Sequence, residues 1–455
     1  MKHRYSDKEA GTAAWFRSAA ESGNAYAQFN LALLYKRGKG VEQDEQQGFV
    51  WMRRAALAGI AFAQNHLGAM YYNGCGTPRD DAEAVYWFRM AAGQGDASAQ
   101  QNLGLMYRKG RGVPKSDDMA LTWFGRAAEQ GVASAQTLLG EAYAQGLGTQ
   151  RNFPLALAWF RKAALQGDAT AQLNLGLMYR RGHGVLQSDT QAVAWYRQSA
   201  AQGHAAAQRH LGVAYAEGRG VTVDLERACS WLRRAAEQGD VDARFNMGVM
   251  LANGYGVPKD EARALEWYRG AATAGHVLAQ YNLGTMYAHG RGVERDPGQA
   301  LEWYRKAAEQ GAANAQFNVG VIYANGHGVA RDETRAVAWY RHAAEQGDAS
   351  AQNNLGVMLA NGQGVPQDDV EAVRWYRKAA EQGHPLAQYN LGGMYNSGRG
   401  VEQNAVLSYM WISLAAEAGD ETASANRKLM GKRLTREELG SAELMTRRWH
   451  EAHRA

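Results

Sequence analysis

The sequence predicts an all-α solenoid, and the first observation behind this is a strict spacing of tryptophans. A fixed period of about 20 to 50 residues indicates stacked repeats, because one such unit cannot bury its apolar face alone. We therefore expect about eleven to twelve helix-turn-helix repeats of 36 residues. The tryptophans that define the period, each 36 residues from the next, are Trp15, Trp51, Trp87, Trp123, Trp159, Trp195, Trp231, Trp267, Trp303, Trp339, Trp375 and Trp411.

The second observation is an apolar pattern that marks the first helix of each repeat. Ala279, Leu283 and Met286 lie at i, i+4 and i+7, on one face of a helix. A Gly-x-Gly pair follows in every copy, as at Gly290 and Gly292. Glycine reaches the left-handed conformation of a helix C-cap, so we expect the first helix to end there.

The third observation marks the start of the second helix. Seven residues before each tryptophan from Trp51 onward, the chain has a residue whose side chain can cap a helix N-terminus. We expect the second helix to begin directly after this residue and to include the tryptophan. The predicted caps are Asp44, Asp80, Ser116, Asn152, Ser188, Asp224, Asp260, Asp296, Asp332, Asp368 and Asn404.

Three more positions keep the same phase. An alanine–glutamine pair opens the first helix in ten of eleven copies, and Arg244 replaces the glutamine in the other. A glycine such as Gly284 costs about 1 kcal/mol against alanine in an exposed helix, so its recurrence predicts close contact with a neighbouring helix. An asparagine such as Asn282 recurs two residues after the glutamine. We favour a structural hydrogen bond between repeats for it, with a ladder that binds a peptide backbone as the alternative.

The segments 279–293 and 300–311 together resemble the Sel-one-like repeat, a relative of the tetratricopeptide repeat. The resemblance covers about residues 8–430. It implies a right-handed superhelical solenoid and a role as an adaptor for other proteins. Pentatricopeptide RNA binders have a similar period but lack this phase of glycines and aromatic residues.

The two ends differ from the middle. We interpret residues 1–433 as one repeat solenoid and residues 434–455 as a C-terminal capping helix, which the last repeat of a solenoid needs for solubility. Thr435 and Glu438 have the spacing of a capping box. The apolar stripe expected on this helix consists of Leu439, Ala442, Met445 and Trp449.

Composition excludes several classes of protein. The net charge of +5 is small and its charges are mixed along the chain, which argues against nucleic-acid binding. Apolar runs fall short of the roughly 18 residues of a membrane span. The first ten residues have no apolar core, so we expect a cytoplasmic protein, or a periplasmic or secreted one if a signal was removed. Cys75 and Cys229 lie more than four repeats apart, and we expect them not to pair.

No pattern in the sequence predicts a catalytic, cofactor or metal site. The Gly-x-Gly pairs lack the lysine and hydroxyl residue of a phosphate-binding loop. His204 and His210 are six residues apart, which puts them on different faces of a helix, and no other histidines have ligand spacing. We therefore expect a protein that is not an enzyme and binds neither cofactor nor metal. A catalytic protein with an unrecognised site is an alternative.

We expect a partner to bind at positions whose residues differ from one repeat to the next. The residues one, five and eight positions after the glutamine lie opposite the buried face of the first helix, and we call them the stripe. We expect the stripe to line the concave surface. Its N-terminal half contains cations at Lys36, Arg108, Arg180 and Arg209, whereas its C-terminal half has no charge and contains four aromatic residues among valines and alanines. The residues predicted to bind a partner are Phe245, Tyr281, Phe317, Tyr389, Val249, Val321, Arg180 and Arg209.

The function predicted from these observations is that of a non-enzymatic adaptor. Aromatic side chains on a smooth stripe are typical anchors of interfaces. We expect the concave groove to bind a peptide or a helix of a partner protein. If the solenoid curls tightly, the same rings would instead be packing residues. Regulation of an enzyme or of a signalling or cell-envelope complex is a second use of such a groove. We expect a monomer with at most weak self-association.

Overall fold

The computed structural model describes residues 7–453, and all the regular elements of this part of the chain are helices. Residues 1–6, which carry part of the expectation about an export signal, and residues 454–455 lie outside the described part. The helices are α1 (Asp7–Glu21), α2 (Ala25–Arg37), α3 (Glu45–Leu57), α4 (Ala61–Asn73), α5 (Asp81–Gly93), α6 (Ala97–Lys109), α7 (Asp117–Glu129), α8 (Ala133–Gln145), α9 (Phe153–Leu165), α10 (Ala169–Arg181), α11 (Asp189–Ala201), α12 (Ala205–Glu217), α13 (Leu225–Glu237), α14 (Val241–Asn253), α15 (Glu261–Thr273), α16 (Val277–His289), α17 (Pro297–Glu309), α18 (Ala313–Asn325), α19 (Glu333–Glu345), α20 (Ala349–Asn361), α21 (Asp369–Glu381), α22 (Pro385–Ser397), α23 (Ala405–Glu417), α24 (Glu421–Gly431) and α25 (Arg436–Ala452).

The chain divides into two compact units, unit 1 (residues 1–235) and unit 2 (residues 236–455). Within each unit, helices that are neighbours in sequence pack against each other, as α4 packs on α5 and α16 packs on α17. This nearest-neighbour packing is the arrangement of an all-α solenoid, as the sequence predicts. The predicted division at residue 433 stays a prediction.

The predicted starts of the second helices are confirmed at all eleven positions. Each predicted side chain accepts a hydrogen bond from a backbone N–H of the first turn, as Asp296 does from the amide of Gln299 at 3.0 Å. Asp224 accepts in the same way from the amide of Arg227. These bonds satisfy a donor that the helix itself leaves unpaired.

The Gly-x-Gly pair has two functions in the fold. The first glycine caps the helix in the left-handed region, with φ of 70° at Gly290. The second glycine packs on the preceding second helix: a Cβ atom on Gly400 would lie 2.1 Å from the carbonyl oxygen of Asp369. A side chain there would push two successive repeats apart, so the pair both ends a helix and sets the repeat spacing.

The glycine inside the first helix contacts a side chain of the second helix. A Cβ atom on Gly284 would lie 2.7 Å from the ring of Tyr304, so the ring occupies the space of the missing side chain. The predicted close contact is confirmed. In the first repeat Ala32 takes this position and the flexible Met52 stands where later repeats have a ring or a branched side chain.

The recurring glutamine joins successive second helices. Gln316 donates from Nε2 to the carbonyl of Ala308 at 3.1 Å and accepts from Nε2 of Gln346 at 2.7 Å. The same pairing recurs through both units. The glutamine pairs, each 30 residues apart, are Gln64–Gln94, Gln100–Gln130, Gln136–Gln166, Gln172–Gln202, Gln280–Gln310, Gln316–Gln346 and Gln352–Gln382.

Arg244 interrupts this series of glutamine pairs, which we call the glutamine ladder, and two neighbouring residues differ from most other repeats as well. The position of its partner is Ala274, and Arg244 donates from Nε to the carbonyl of Ala236 at 3.2 Å. Gly270 stands where many repeats have lysine or arginine, and a Cβ atom on it would lie 3.6 Å from Cδ of Arg244. The smaller neighbours thus make room for the longer side chain.

The C-terminal helix begins as predicted, and its predicted apolar stripe differs from the packed face at one residue: Ala442 is buried and Leu439 and Trp449 are half-buried, but Met445 is exposed. Thr435 and Glu438 form both hydrogen bonds of the capping box. Helix α25 packs on α23 through Ala442 and Thr446, which are buried, whereas Met445 is 41% exposed. The apolar stripe predicted on α25 was wrong at Met445, because the contact with α23 uses Ala442 and Thr446, which lie four residues apart on one face of the helix.

Two more expectations concern the chain as a whole. Cys75 and Cys229 do not form a disulfide, as expected, and Cys229 is buried. Within residues 7–453, every helix is too short or too polar to cross a membrane.

Candidate partner-binding groove

Stripe residues line grooves in both units. In unit 1, Ala144 and Leu177 line a groove of 370 Å³. In unit 2, Ala288 and Val321 line one of 440 Å³. The predicted stripe is therefore the side of the first helices on which these cavities open, and it is the candidate site.

The aromatic stripe residues of unit 2 are half-buried. Phe245, Tyr281 and Phe317 each lie against a tyrosine of the second helix that follows, so one side of the ring is packed. The predicted Val249 and Val321 are also half-buried. The rings therefore pack inside their repeats and still present surface, and partner binding by them stays a prediction. The ring centroids are 5.9 Å apart for Phe245–Tyr268, 5.6 Å for Tyr281–Tyr304 and 5.9 Å for Phe317–Tyr340.

The tyrosines beneath the stripe form the floor of the groove in unit 2. Burial raises the pKa of Tyr268 to about 12, against a weaker opposing hydrogen bond with Asn282. Burial also raises the pKa of Tyr304, whose hydroxyl donates to Oγ1 of Thr285 at 3.0 Å. These hydroxyls stay protonated near neutral pH and serve as hydrogen-bonding groups.

Tyr389 differs from the other predicted rings. Its hydroxyl accepts a hydrogen bond from Nδ2 of Asn426 on α24 at 2.7 Å. The ring packs against the cluster of Ile412, Ala415 and Ala423. The last repeat helix therefore already contacts this ring, which is less free to act as an anchor than Phe245 or Phe317.

Arg108, a cation on the stripe of unit 1, has partners inside the unit. Nη1 of Arg108 lies 3.5 Å from Oε2 of Glu141, one repeat further on, and the guanidinium lies over the ring of Phe124. Burial raises the pKa of the Glu141 carboxyl, and Arg108 opposes that shift. Glu141 was not selected from the sequence. The available signal was that it is the only acidic residue among the stripe positions and follows Arg108 by one repeat.

Lys36 is exposed, and the two cations predicted to bind a partner, Arg180 and Arg209, lie further along unit 1. Arg180 is half-buried beside Tyr196 and lowers the pKa of that tyrosine, which burial raises to about 12. Arg209 is half-buried as well. On this stripe, the ion pair with Glu141 offsets the charge of Arg108.

The recurring asparagine pairs with a stripe asparagine of the preceding repeat in two places, and elsewhere it bonds another side chain of that repeat, as Asn282 bonds Tyr268. Asn102 donates from Nδ2 to Oδ1 of Asn65, and Asn390 donates to Oδ1 of Asn353, both at 2.9 Å. Asn30 instead bonds the carbonyl of Tyr26 in its own helix. The structural interpretation holds for the bonds between repeats, and each of the two asparagine pairs includes a stripe residue.

The described residues do not place three or more histidine, cysteine, aspartate or glutamate side chains where they could hold a metal ion.

The Sel1 repeat family model matches twelve consecutive segments of the chain: 13–24, 25–60, 61–96, 97–132, 133–168, 169–204, 205–240, 241–276, 277–311, 313–348, 349–384 and 385–420. The chain belongs to the Sel1 repeat family. The segment boundaries fall between the second helix of one hairpin and the first helix of the next, as the sequence analysis divides them.

Two solved structures are similar over most or much of this Sel1 repeat chain. A protective antigen present in uropathogenic Escherichia coli strains, which displays an SLR fold, is 41% identical, with a TM-score of 0.81 over 96% of this chain and 94% of that protein. A Sel1 repeat protein from Oxalobacter formigenes is 37% identical, with a TM-score of 0.52 over 66% of this chain and 87% of that one. No curated protein matches the chain.

Proposed function

We propose that this Sel1 repeat protein is a non-catalytic scaffold that binds a peptide or helix of a partner protein along the stripe of unit 2. The observation that carries the proposal is the series of aromatic pairs Phe245–Tyr268, Tyr281–Tyr304 and Phe317–Tyr340. The repeat fold, typical of protein-interaction scaffolds, supports it.

The aromatic pairs suit a binding surface for two reasons. A half-buried ring is held in one orientation by the tyrosine beneath it, so less conformational entropy is lost when a partner covers it. Large aromatic side chains also dominate the binding energy of interfaces. The pairs recur at the spacing of the repeat, which matches an elongated partner better than a compact one.

The rest of the stripe in unit 2 favours the same partner. It contains no charged residue among its fifteen positions, and Val249 and Val321 separate the rings. An apolar surface of this kind fits the apolar face of an amphipathic helix or the alternating side chains of an extended peptide.

The test is the double variant Phe245→Ala/Phe317→Ala. Loss of two anchors should weaken partner binding by at least about 2 kcal/mol. Proteins captured from a lysate of the source organism would be quantified for the wild type, the double variant and a matched control. The control is Tyr255→Ala/Leu278→Ala, which removes two side chains of unit 2 that are 50% and 52% exposed.

The expected result is a set of proteins retained by the wild type and the control but lost by the double variant. Equal capture by all three chains would contradict the proposal. Loss of helical circular dichroism in the double variant would show that the rings are packing residues instead.

A further inference from the structure

A groove near the C-terminal end of unit 2 differs from the rest of the apolar stripe. It has a volume of 520 Å³ and is lined by residues of α20, α22 and α24, with Arg399 and Arg433 beside them. Its lining contains four asparagines and no aspartate or glutamate. One of the two guanidinium groups, Arg399, is paired with Asp369 outside the lining, so the groove keeps a net positive charge that is complementary to an anionic ligand.

Arg399 is held in a fixed orientation at this groove. Its Nε donates to Oδ2 of Asp369 at 3.0 Å, and its Nη2 donates to Oδ1 of Asp369 at 2.6 Å and to the carbonyl of Ala360 at 2.7 Å. These three bonds use one side of the guanidinium. The two N–H groups of Nη1 are left for another acceptor, because arginine has five donors in a planar fork.

Arg433 supplies the second cation. It follows α24 directly, and its amide is bonded to the carbonyl of Met430 at 2.8 Å, which fixes the backbone beside the groove. The side chain is exposed and forms no ion pair with the described residues. Its charge is therefore not neutralised within the fold as the charge of Arg399 is by Asp369.

Gly393 leaves the middle of this groove open. The other ten copies of the repeat have a side chain at this stripe position. A Cβ atom on Gly393 would meet nothing within 4 Å, whereas one on Gly284 would meet a ring at 2.7 Å. Packing therefore does not require a glycine at 393, although glycine weakens a helix interior. Because Gly393 has no side chain, it leaves space in the groove.

We propose that this groove binds an acidic side chain, aspartate or glutamate, in an extended segment of the protein partner. The carboxylate would accept from Nη1 of Arg399 and from Arg433, and the residue next to it would occupy the space over Gly393. Asn396 and Asn426 line the same groove and offer amides to the backbone of the segment. The inference rests on the proposed function, since it assigns a chemical feature to the same partner.

A side-chain carboxylate is favoured over a chain terminus by the course of the stripe. Val357 on α20 and Leu429 on α24 lie 36 residues before and after Gly393 and also line the groove. The groove thus extends from α22 to the helices on both sides of it in the repeat order. A segment that follows it passes through the groove rather than ending there.

The test is a peptide titration of the full chain with labelled methionine methyl groups. Methyl NMR spectra recorded during the titration monitor binding. Met394 and Met430 line the groove and report on it, while Met106 in unit 1 is the internal control. The probe is acetyl-Ala-Ala-Glu-Ala-Ala-amide. The comparison peptides carry Gln in place of Glu, one of them amidated and one with a free terminal carboxylate.

The expected result is a saturable shift of the Met394 and Met430 signals with the Glu peptide and binding about tenfold weaker with the amidated Gln peptide, the scale of one charge-assisted hydrogen bond. Arg433→Gln should weaken binding of the Glu peptide about tenfold, whereas Lys432→Gln, which changes the neighbouring cation, should not. Gly393→Leu should abolish the shift without lowering the melting temperature.

The inference would be overturned by no shift up to ~10 mM Glu peptide, a concentration at which weak peptide binding would be detected. Equal binding of the Glu peptide and the amidated Gln peptide would also overturn it. So would unchanged binding of the Glu peptide to Arg433→Gln. Tighter binding of the Gln peptide with the free terminal carboxylate would reject the side-chain assignment. These outcomes are separate from a failure of the proposed function, because the titration uses purified protein and leaves Phe245 and Phe317 unchanged.

Discussion

Units 1 and 2 have the same repeat but different groove floors. In unit 1 the side chain over the helix glycine is a phenylalanine in three successive repeats, whereas in unit 2 it is a tyrosine in four. The stripe changes with the floor: Arg108 lies over Phe124 in unit 1, and Phe317 lies against Tyr340 in unit 2. The layer that joins the repeats stays the same, so the two units differ where a partner would bind.

The difference teaches which positions are free to vary. The capping residues, the Gly-x-Gly pairs and most of the glutamine ladder recur in both units because each one satisfies a bond or a close contact between helices. Stripe residues differ between the units: Arg108 pairs with Glu141 of the next repeat, whereas Phe317 packs on Tyr340 of its own repeat. A solenoid can therefore change its surface chemistry along its length at little cost to its fold.

The largest effect is expected from removing a ring of the groove floor. The comparison tests whether the floors of the two units contribute equally to the free energy of unfolding. Phe124→Ala and Tyr304→Ala each remove a buried ring, 1% and 4% exposed, that fills the space over a glycine. Each should cost about 3–5 kcal/mol. Hydrogen exchange should show lost protection in the neighbouring repeats, and Trp15→Ala, at a ring 64% exposed, is the control. A uniform loss across the whole chain would contradict nearest-neighbour coupling.

The glycines of the first helices should separate into two classes. Gly104→Ala in unit 1 and Gly284→Ala in unit 2 would each place a methyl group under 3 Å from a ring. Overpacking of this kind should cost about 1–3 kcal/mol. Gly393→Ala should instead stabilise by up to about 1 kcal/mol, because it has space and a better helix former replaces glycine. Urea unfolding measures all three, and destabilisation by Gly393→Ala would contradict this interpretation.

The glutamine ladder should contribute equally in both units. Gln130→Ala and Gln346→Ala each remove the donor to Oε1 of a buried glutamine, so each should cost about 1 kcal/mol. Ala274→Gln is the contrasting variant. It should not stabilise unit 2, because the residue 30 positions earlier is Arg244 and cannot accept the bond. A gain in melting temperature on Ala274→Gln would show that the ladder tolerates this gap for another reason.

The smallest expected effect concerns acid stability. Hydrogen bonding to Arg399 lowers the pKa of Asp369 from 3.8 in unit 2, and Arg111 and Arg79 lower that of Asp81 in unit 1. The folded pKa values lie below the unfolded ones, so the stabilisation is present above about pH 4 and is lost as pH falls through the folded values. Partial exposure limits each pair to less than about 1 kcal/mol.

Urea unfolding of the wild type, Asp81→Asn and Asp369→Asn between pH 2 and 7 checks this comparison, over a range set by the carboxyl titrations. The loss attributable to Asp81 should be the larger, because two arginines contact it. Variants whose pH dependence equals that of the wild type would show that these pairs do not contribute.

Much of the fold could be predicted because the repeat multiplies each weak signal. A single Asp296 before a helix is modest evidence, but eleven capping residues at one phase agree, and all eleven form the bond. The contact at Gly284 was predictable in the same way, since a costly residue at a constant phase needs a reason. The identity of the contacting ring, Tyr304, was not.

The candidate site was less predictable because it depends on pairs that are distant in sequence. The stripe and its residues could be selected, yet the 33-residue separation of Arg108 and Glu141 hid their ion pair. Asn426 contacts Tyr389 from a helix outside the regular pattern. Met445 was misplaced because α25 has no repeats with which to average its phase.

The sequence by itself determined the helix boundaries, the repeat period and the family of this protein, because local capping, glycine conformation and helical periodicity act within a few residues. Only the tertiary structure decided how far Phe245 and Phe317 are covered and which cations are paired. It also showed that Gly393, unlike Gly284, leaves open space. Those properties depend on the distance between repeats, and that distance follows from how the second glycine of each pair and the rings pack against neighbouring helices.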